Sequence, residues 1–411
     1  MTSDATDISA PAARAVIEAL RAGIASTAVS EIFASSQGRI LNAFGKLLDQ
    51  QRGALAIEGG YGQGKTHLLK HLASLARRRG CVVSLLPLSK ETPFNHWWHV
   101  YAAAIQQATT PDGSSLEARL RHHRWTDDPI QQLHDFAQAH LHPRLSALLA
   151  AYYQASDPEV QFLLAGDLLG QPLTNAAIAG AYRAATGERV KLPPARLQQT
   201  GLDYFRLMAR LFELSGYTGW VVLFDEFELV CKLGTHARGR AYANLSTFLR
   251  SRPLSGLERV IAVVTLIDQM TSEYLVGGKE DITRVAAHFK GRGMPDLAAD
   301  AERAVKWLVQ SKKSLSPLSS AEVDGVLDRI AALHELAYGW QRPEGRFYVP
   351  QLSAAERMRT RVRFCVESLD LARLYDEAPQ VETREARLDT LREDEALFTV
   401  PDEVTVIEVE L

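Results

Sequence analysis

The sequence predicts a mixed α/β fold: a parallel β-sheet, a large helical insertion within it, and a helical C-terminal region for which a winged-helix arrangement is one expectation. Three observations carry this. Short apolar runs at 54–58, 81–87, 220–224 and 260–266 suit strands buried on both faces. The segments between them keep apolar residues at three- and four-residue spacing, as helices do. Finally, the 133 residues of 87–219 separate two of the strands. A crossover needs only about a dozen residues, so that interval must hold a subdomain.

The elements follow in order. Residues 12–22 read as a short helix, with Val16, Ile17 and Leu20 on one face and Gly23 ending it. A second helix, 38–50, keeps Ile40, Leu41, Phe44, Leu47 and Leu48 in helical register. The strand 54–58 stops at Gly59 and Gly60, a helix resumes over 66–79, and 81–87 is the next strand, making a βαβ unit. Helices are expected at 95–107, 129–152, 157–169, 174–186 and 202–215, then at 301–310, 320–338 and 363–376, with a terminal strand at 404–411. The expected organisation is a helical lead-in (1–50), a sheet core (51–92 and 200–298), a helical insertion (93–199), a helical lid or winged-helix region (299–390) and an acidic tail (391–411).

Hydrophobic residues form 46% of the 411 and charged residues 23%, so a sizeable core is available and disorder or a fibrous repeat is excluded. No apolar run approaches the roughly 20 residues of a membrane helix, and the N-terminus lacks the pattern of a signal peptide. Cys81, Cys231 and Cys365 are too far apart for a local zinc motif and odd in number, which points to a reducing, cytoplasmic setting. The net charge of −3 conceals a tail, 391–411, carrying seven acids against Arg392. The remaining body is mildly basic, which permits a nucleic-acid face without demanding one.

The chemistry concentrates at two places. Residues 59–66 read Gly-Gly-Tyr-Gly-Gln-Gly-Lys-Thr, a complete G-x-x-x-x-G-K-[ST] between a strand and a helix. Glycines at 59, 60, 62 and 64 let the backbone curl so that successive N–H groups face phosphate oxygens, and the helix N-terminus adds its positive dipole end. Lys65 supplies a charge to the β- and γ-phosphates, and Thr66 a hydroxyl to Mg²⁺. The candidate nucleotide-contacting residues are Gly59, Gly60, Tyr61, Gly62, Gln63, Gly64, Lys65, Thr66 and His67, on a P-loop NTPase core. The second place is Asp225–Glu226, after the strand 220–224. Asp225 is placed to hold Mg²⁺, and Glu226 to orient or deprotonate the water attacking the γ-phosphate. Small-molecule kinases do not need that second group. Thr265 closes the strand 260–266. If that strand lies between the other two, its hydroxyl reaches the γ-phosphate or the water; otherwise Thr265 is a β-branched core residue.

The segments IEALRAG (17–23), SSQGR (35–39), EGGYGQGKTHLL (58–69) and LFDEFELVCKLGTHARGRAYANL (223–245) together resemble the BREX-type P-loop ATP-binding proteins, the short BrxD-like members above all. The resemblance covers roughly 14–90 and 200–380 and is weak across the insertion. More broadly the chain is similar to AAA+ ATPases of the origin-recognition kind, of the additional-strand type, in which a Gly-Arg pair lies near the adenine. Gly38 and Arg39 match that pair. The resemblance implies ATP and Mg²⁺ as ligands, a role in bacterial phage defence, a helicase-like defence protein and DNA as partners, and a homo-oligomer. It also implies one arginine reaching a neighbouring subunit's γ-phosphate, for which Arg284 and Arg292 are candidates, and a lid arginine, for which Arg361 and Arg363 are candidates. The activity so implied is ATP hydrolysis coupled to conformational change or assembly; the alternative is an ATP-dependent scaffold with negligible turnover of its own.

Other features have ordinary readings. Seven histidines fall between 96 and 142 without the carboxylate or cysteine support of a metal site. The apolar flank of Trp97, Trp98 and Tyr101 favours core packing over base stacking. Arg357, Arg359, Arg361 and Arg363 split over two sides of a helix start, read as solvated charge or as a phosphate-contacting stripe.

Overall fold

The computed structural model describes residues 8–24, 26–33, 37–113, 127–342 and 358–375. The strand expected at 404–411, the acidic tail, Ser35, Ser36, His122, His123 and Arg357 lie outside the described residues.

Six strands form one sheet: β1 (Gly53–Glu58), β2 (Val82–Pro87), β3 (Ala108–Thr109), β4 (Trp220–Asp225), β5 (Val260–Leu266) and β6 (Lys313–Ser314). Their order is β3-β2-β4-β5-β1-β6. Every pairing is parallel except β2 with β3, which is antiparallel. β5 therefore lies between β1 and β4, pairing Ile57 with Thr265 on one side and Phe224 with Val264 on the other. That register brings the C-terminal ends of β1, β4 and β5 to one edge.

The strands are apolar on both faces because both are covered. Val221, Leu223, Ile261 and Val263 face a layer made by the helices Gly38–Gln50 and Lys65–Arg78, with Ile40, Phe44, Leu68, Leu69 and Leu72 at its centre. Their alternates Trp220, Val222, Phe224, Ala262 and Val264 face the larger core. There Trp97, Trp98 and Tyr101 are buried, Phe205 stacks on Trp220 at 4.2 Å, and Trp98 meets Tyr204 edge-on.

Between β3 and β4 the described chain is helical: Asp127–His140, Pro143–Gln154, Pro158–Leu168, Asn175–Thr186 and Leu197–Leu214. The single helix expected at 129–152 is two. Pro143 has no N–H to continue the first and instead opens the second, whose cap is His142 Nδ1 accepting from the Arg144 N–H (3.2 Å). The helices Thr27–Ile32, Thr235–Ser246 and Asp281–Lys290 and the two-residue strands β3 and β6 are additional to the elements read from the sequence.

A third apolar cluster joins the two ends of the described chain. Ala13, Val16, Ile17 and Leu20 of the helix Ala10–Arg21 pack with Ile330, Leu333 and Ala337 of Ser320–Tyr338 and with Val366 and Leu369 of Met358–Tyr375. Arg21 ties the same junction through Asp370 (2.9 Å) and Tyr338 (3.1 Å). Among the described residues no helix is long and apolar enough to cross a membrane.

Candidate active site at the C-terminal edge of the sheet

After β1 the chain turns through 59–64 into the helix Lys65–Arg78. Gly62 and Gly64 have φ of 77° and 92°, the left-handed region that a side chain would strain. At Gly59 a Cβ would stand 2.6 Å from Leu315 Cδ1, so that side chain would have to shift. The loop is braced from within. The Gly60 N–H donates to Gln63 Oε1 (2.7 Å), and Lys65 Nζ donates to the carbonyls of Gly59 (2.9 Å) and Gly60 (3.1 Å). The amine is therefore buried in the curl of the loop, at 8% exposure.

Beside it, Asp225 gathers the ends of β4, β5 and the loop helix. Thr66 Oγ1 donates to Asp225 Oδ2 (2.6 Å), and Thr265 Oγ1 donates to Asp225 Oδ1 (2.6 Å). The Glu226 N–H donates to both Asp225 Oδ1 and Thr265 Oγ1 (3.1 Å each). These bonds hold Glu226 in a left-handed conformation, φ 61° and ψ 40°, which costs a non-glycine residue about 1–2 kcal/mol. The kink lifts the Glu226 side chain into solvent at the mouth of the site. Desolvation by the surrounding protein and the neighbouring Asp225 charge push its carboxyl above the usual range, with Lys65 and Lys232 opposing. The Thr66 hydroxyl and Asp225 carboxylate are hard oxygen donors of the kind that suits Mg²⁺.

The structure thus brings Lys65, Thr66, Asp225, Glu226 and Thr265 together. Tyr61 stands half exposed at the loop tip. His67 turns away from the loop, its Nε2 lying 2.8 Å from the Phe33 carbonyl, and burial holds its imidazole below the usual range. Arg39 is exposed on the helix Gly38–Gln50. Arg284 is exposed and paired with Glu280 (3.4 Å), while Arg292 reaches His236 (3.4 Å). Arg363 lies against Gly23, where Arg359 donates to the Gly23 carbonyl (2.9 Å), and Arg361 is half buried on the same helix. Among the described residues no hydrogen bond or ion pair joins Arg39, Arg284, Arg292 or Arg363 to residues 59–66. Among the described residues no three His, Cys, Asp or Glu side chains converge as a metal site would require.

Sequence reasoning missed two groups. Glu228, on the turn Phe227–Lys232, has a buried Oε2 without a hydrogen-bond partner, and burial pushes its carboxyl up to about 7. An acid two residues after Glu226 was visible, but its burial was not. Behind the loop, Glu58 accepts from Lys312 Nζ (2.6 Å), Thr271 Oγ1 (2.7 Å) and Ser314 Oγ (3.1 Å), fixing β6 to the base of the phosphate loop. Beyond it Gln37 and Ser316 exchange two hydrogen bonds, of 2.9 and 2.8 Å. Nothing local in the sequence marks these partners.

A family model described as BREX system ATP-binding protein BrxC/D matches residues 8–126 and 117–359. No curated protein and no solved structure matches the chain.

Proposed function

The chain belongs to the family of BREX system ATP-binding proteins BrxC/D, and we propose that it is an AAA+-like ATPase of the additional-strand type. The observation that carries this reading is the convergence of Thr66, Thr265 and the Glu226 backbone on Asp225, with Lys65 alongside. Residues 59–66 hold the phosphates, Lys65 exchanging its loop carbonyls for phosphate oxygens. Thr66 and Asp225 hold Mg²⁺, which when bound offsets phosphate charge. Glu226 accepts a proton from the attacking water, and its raised proton affinity makes it a better base once ionised. Thr265 fixes the orientation of Asp225 and Glu226. Rate enhancement comes mostly from positioning and charge stabilisation.

The exposure of Arg284 suits a residue that acts on a neighbouring copy, and the reading extends to a homo-oligomer working with DNA and a helicase-like defence protein. The test is steady-state phosphate release from ATP–Mg²⁺, with and without DNA, beside Lys65→Ala and Glu226→Gln. Turnover abolished by both substitutions supports the ATPase. ATP binding with no release above the Lys65→Ala background supports the scaffold reading instead.

A further inference from the structure

The opposite, N-terminal edge of the sheet carries more arginines than acids. Arg52 immediately precedes β1, and Arg77, Arg78 and Arg79 end the loop helix just before β2. Arg52, Arg78 and Arg79 are exposed and Arg77 half exposed. Arg259 precedes β5 at the same edge, where its carbonyl accepts from the Trp220 N–H that opens β4 (2.9 Å). Acids there are outnumbered. Asp49 pairs with Arg79 (2.9 Å), and Glu213 is shared by Arg259 and Arg210. Among the described residues no carboxylate pairs with Arg52, Arg77 or Arg78.

An ordinary account covers part of this. Two cations in the last turn of a helix offset its negative dipole end. Arg79 and Arg52 lie beyond that turn, and adjacent like charges repel. Ordinary surfaces intersperse both signs. A one-sided run that folding does not need suits a polyanion with regularly spaced phosphates.

We propose that this arginine edge binds the phosphate backbone of nucleic acid. It is a site separate from the nucleotide pocket, which lies one strand length away, roughly 20 Å. A single helix links the two. Lys65–Arg78 receives ATP phosphates at its first residue and presents Arg77 and Arg78 at its last, 14 residues on. Its Leu68, Leu69, Leu72 and Ala76 are locked into the sheet layer, so the two ends move as one rod. The inference deepens the DNA-partner part of the proposed function, and it does not depend on hydrolysis.

The test uses the full chain and fluorescence anisotropy of a labelled duplex of about 30 base pairs, across about 50–200 mM KCl. The variant is Arg52→Ala/Arg77→Ala/Arg78→Ala, all at surface positions, with a thermal melt and ATP binding measured on the same sample. The expected result is an affinity loss of about tenfold or more and a log–log salt slope smaller by roughly 2–3, with ATP affinity and melt unchanged. Arg52→Ala alone shifts the slope by about 1, which keeps the test open should the triple variant melt early. Single-stranded DNA and RNA arms decide which backbone is preferred. The inference is overturned if the native chain binds none of the three, if the variants keep the native slope, or if polyglutamate competes as well as duplex. Lys65→Ala separates the two readings: lost ATP binding with duplex binding intact leaves the arginine edge standing by itself.

Discussion

Two of the buried aspartates, Asp225 and Asp167, are both hydrogen-bonded on their two oxygens and yet have partners of different kinds. Asp167, in the helical insertion, is sealed at 0% exposure and pairs with the Arg144 guanidinium. Tyr204 Oη and the Leu173 N–H complete its shell, and Arg144 spends its remaining donors on Asn175 Oδ1 (2.8 Å), Tyr204 Oη (2.7 Å) and the Leu173 carbonyl. Charge is matched by charge, and four of the five guanidinium N–H donors are bonded. Asp225 is 6% exposed, but its partners are two hydroxyls and a backbone N–H. Among the described residues no cationic side chain lies within ion-pair distance of it. On the proposed function, a buried carboxylate held by neutral donors is available to an incoming cation. One held by arginine has spent its charge on the fold.

That contrast can be broken or sharpened in four ways. Glu226→Gln should lower phosphate release about 10²–10⁴-fold, the range for losing a general base, with ATP affinity and melting temperature kept. Loss of the fold instead would place Glu226 on the structural side. Arg144→Met should do the reverse, costing about 3–5 kcal/mol in denaturant unfolding by leaving Asp167 buried and unpaired, with ATP affinity intact among folded molecules. Thr265→Val keeps the shape of β5 but takes from Asp225 Oδ1 one of its two donors and from the Glu226 N–H one of its two acceptors. A stability loss of about 1–3 kcal/mol is expected, with reduced turnover that Thr265→Ser restores.

The smallest effect concerns His67. Its folded proton affinity is depressed, so its contribution to stability is complete above the unfolded value of about 6.5 and is lost as pH falls from there through the folded value. His334 is depressed for the same reason and acts in the same direction. Melts at pH of about 7.5 and about 5.5 should show a larger acid loss for the native chain than for His67→Gln. An identical acid loss would remove His67 from the account.

The site was legible where chemistry is local. Glycine, lysine and threonine at fixed offsets between a strand and a helix can be read without knowing what packs on them, and so can two acids ending an apolar run. The place of β5 was posed as a condition, and the register of Ile57 with Thr265 meets it. Contacts between distant segments were not legible. Lys312 lies 254 residues from Glu58, and Arg144 meets Asp167 on the following helix, 23 residues on. The helix Ala10–Arg21 reads as a lead-in, yet its apolar face is buried by helices more than 300 residues away. Periodicity gives the face of a helix but not the partner that covers it.

The most direct test of the reserved charge on Asp225 is a single-turnover experiment on the full chain. α-Labelled ATP is bound in excess protein with Mg²⁺, and the bound nucleotide is analysed over time. The account predicts conversion to ADP by the native chain, and unreacted ATP retained at similar occupancy by Glu226→Gln. Equal ADP formation by both proteins, or retention of intact ATP by the native chain with DNA present, would contradict it.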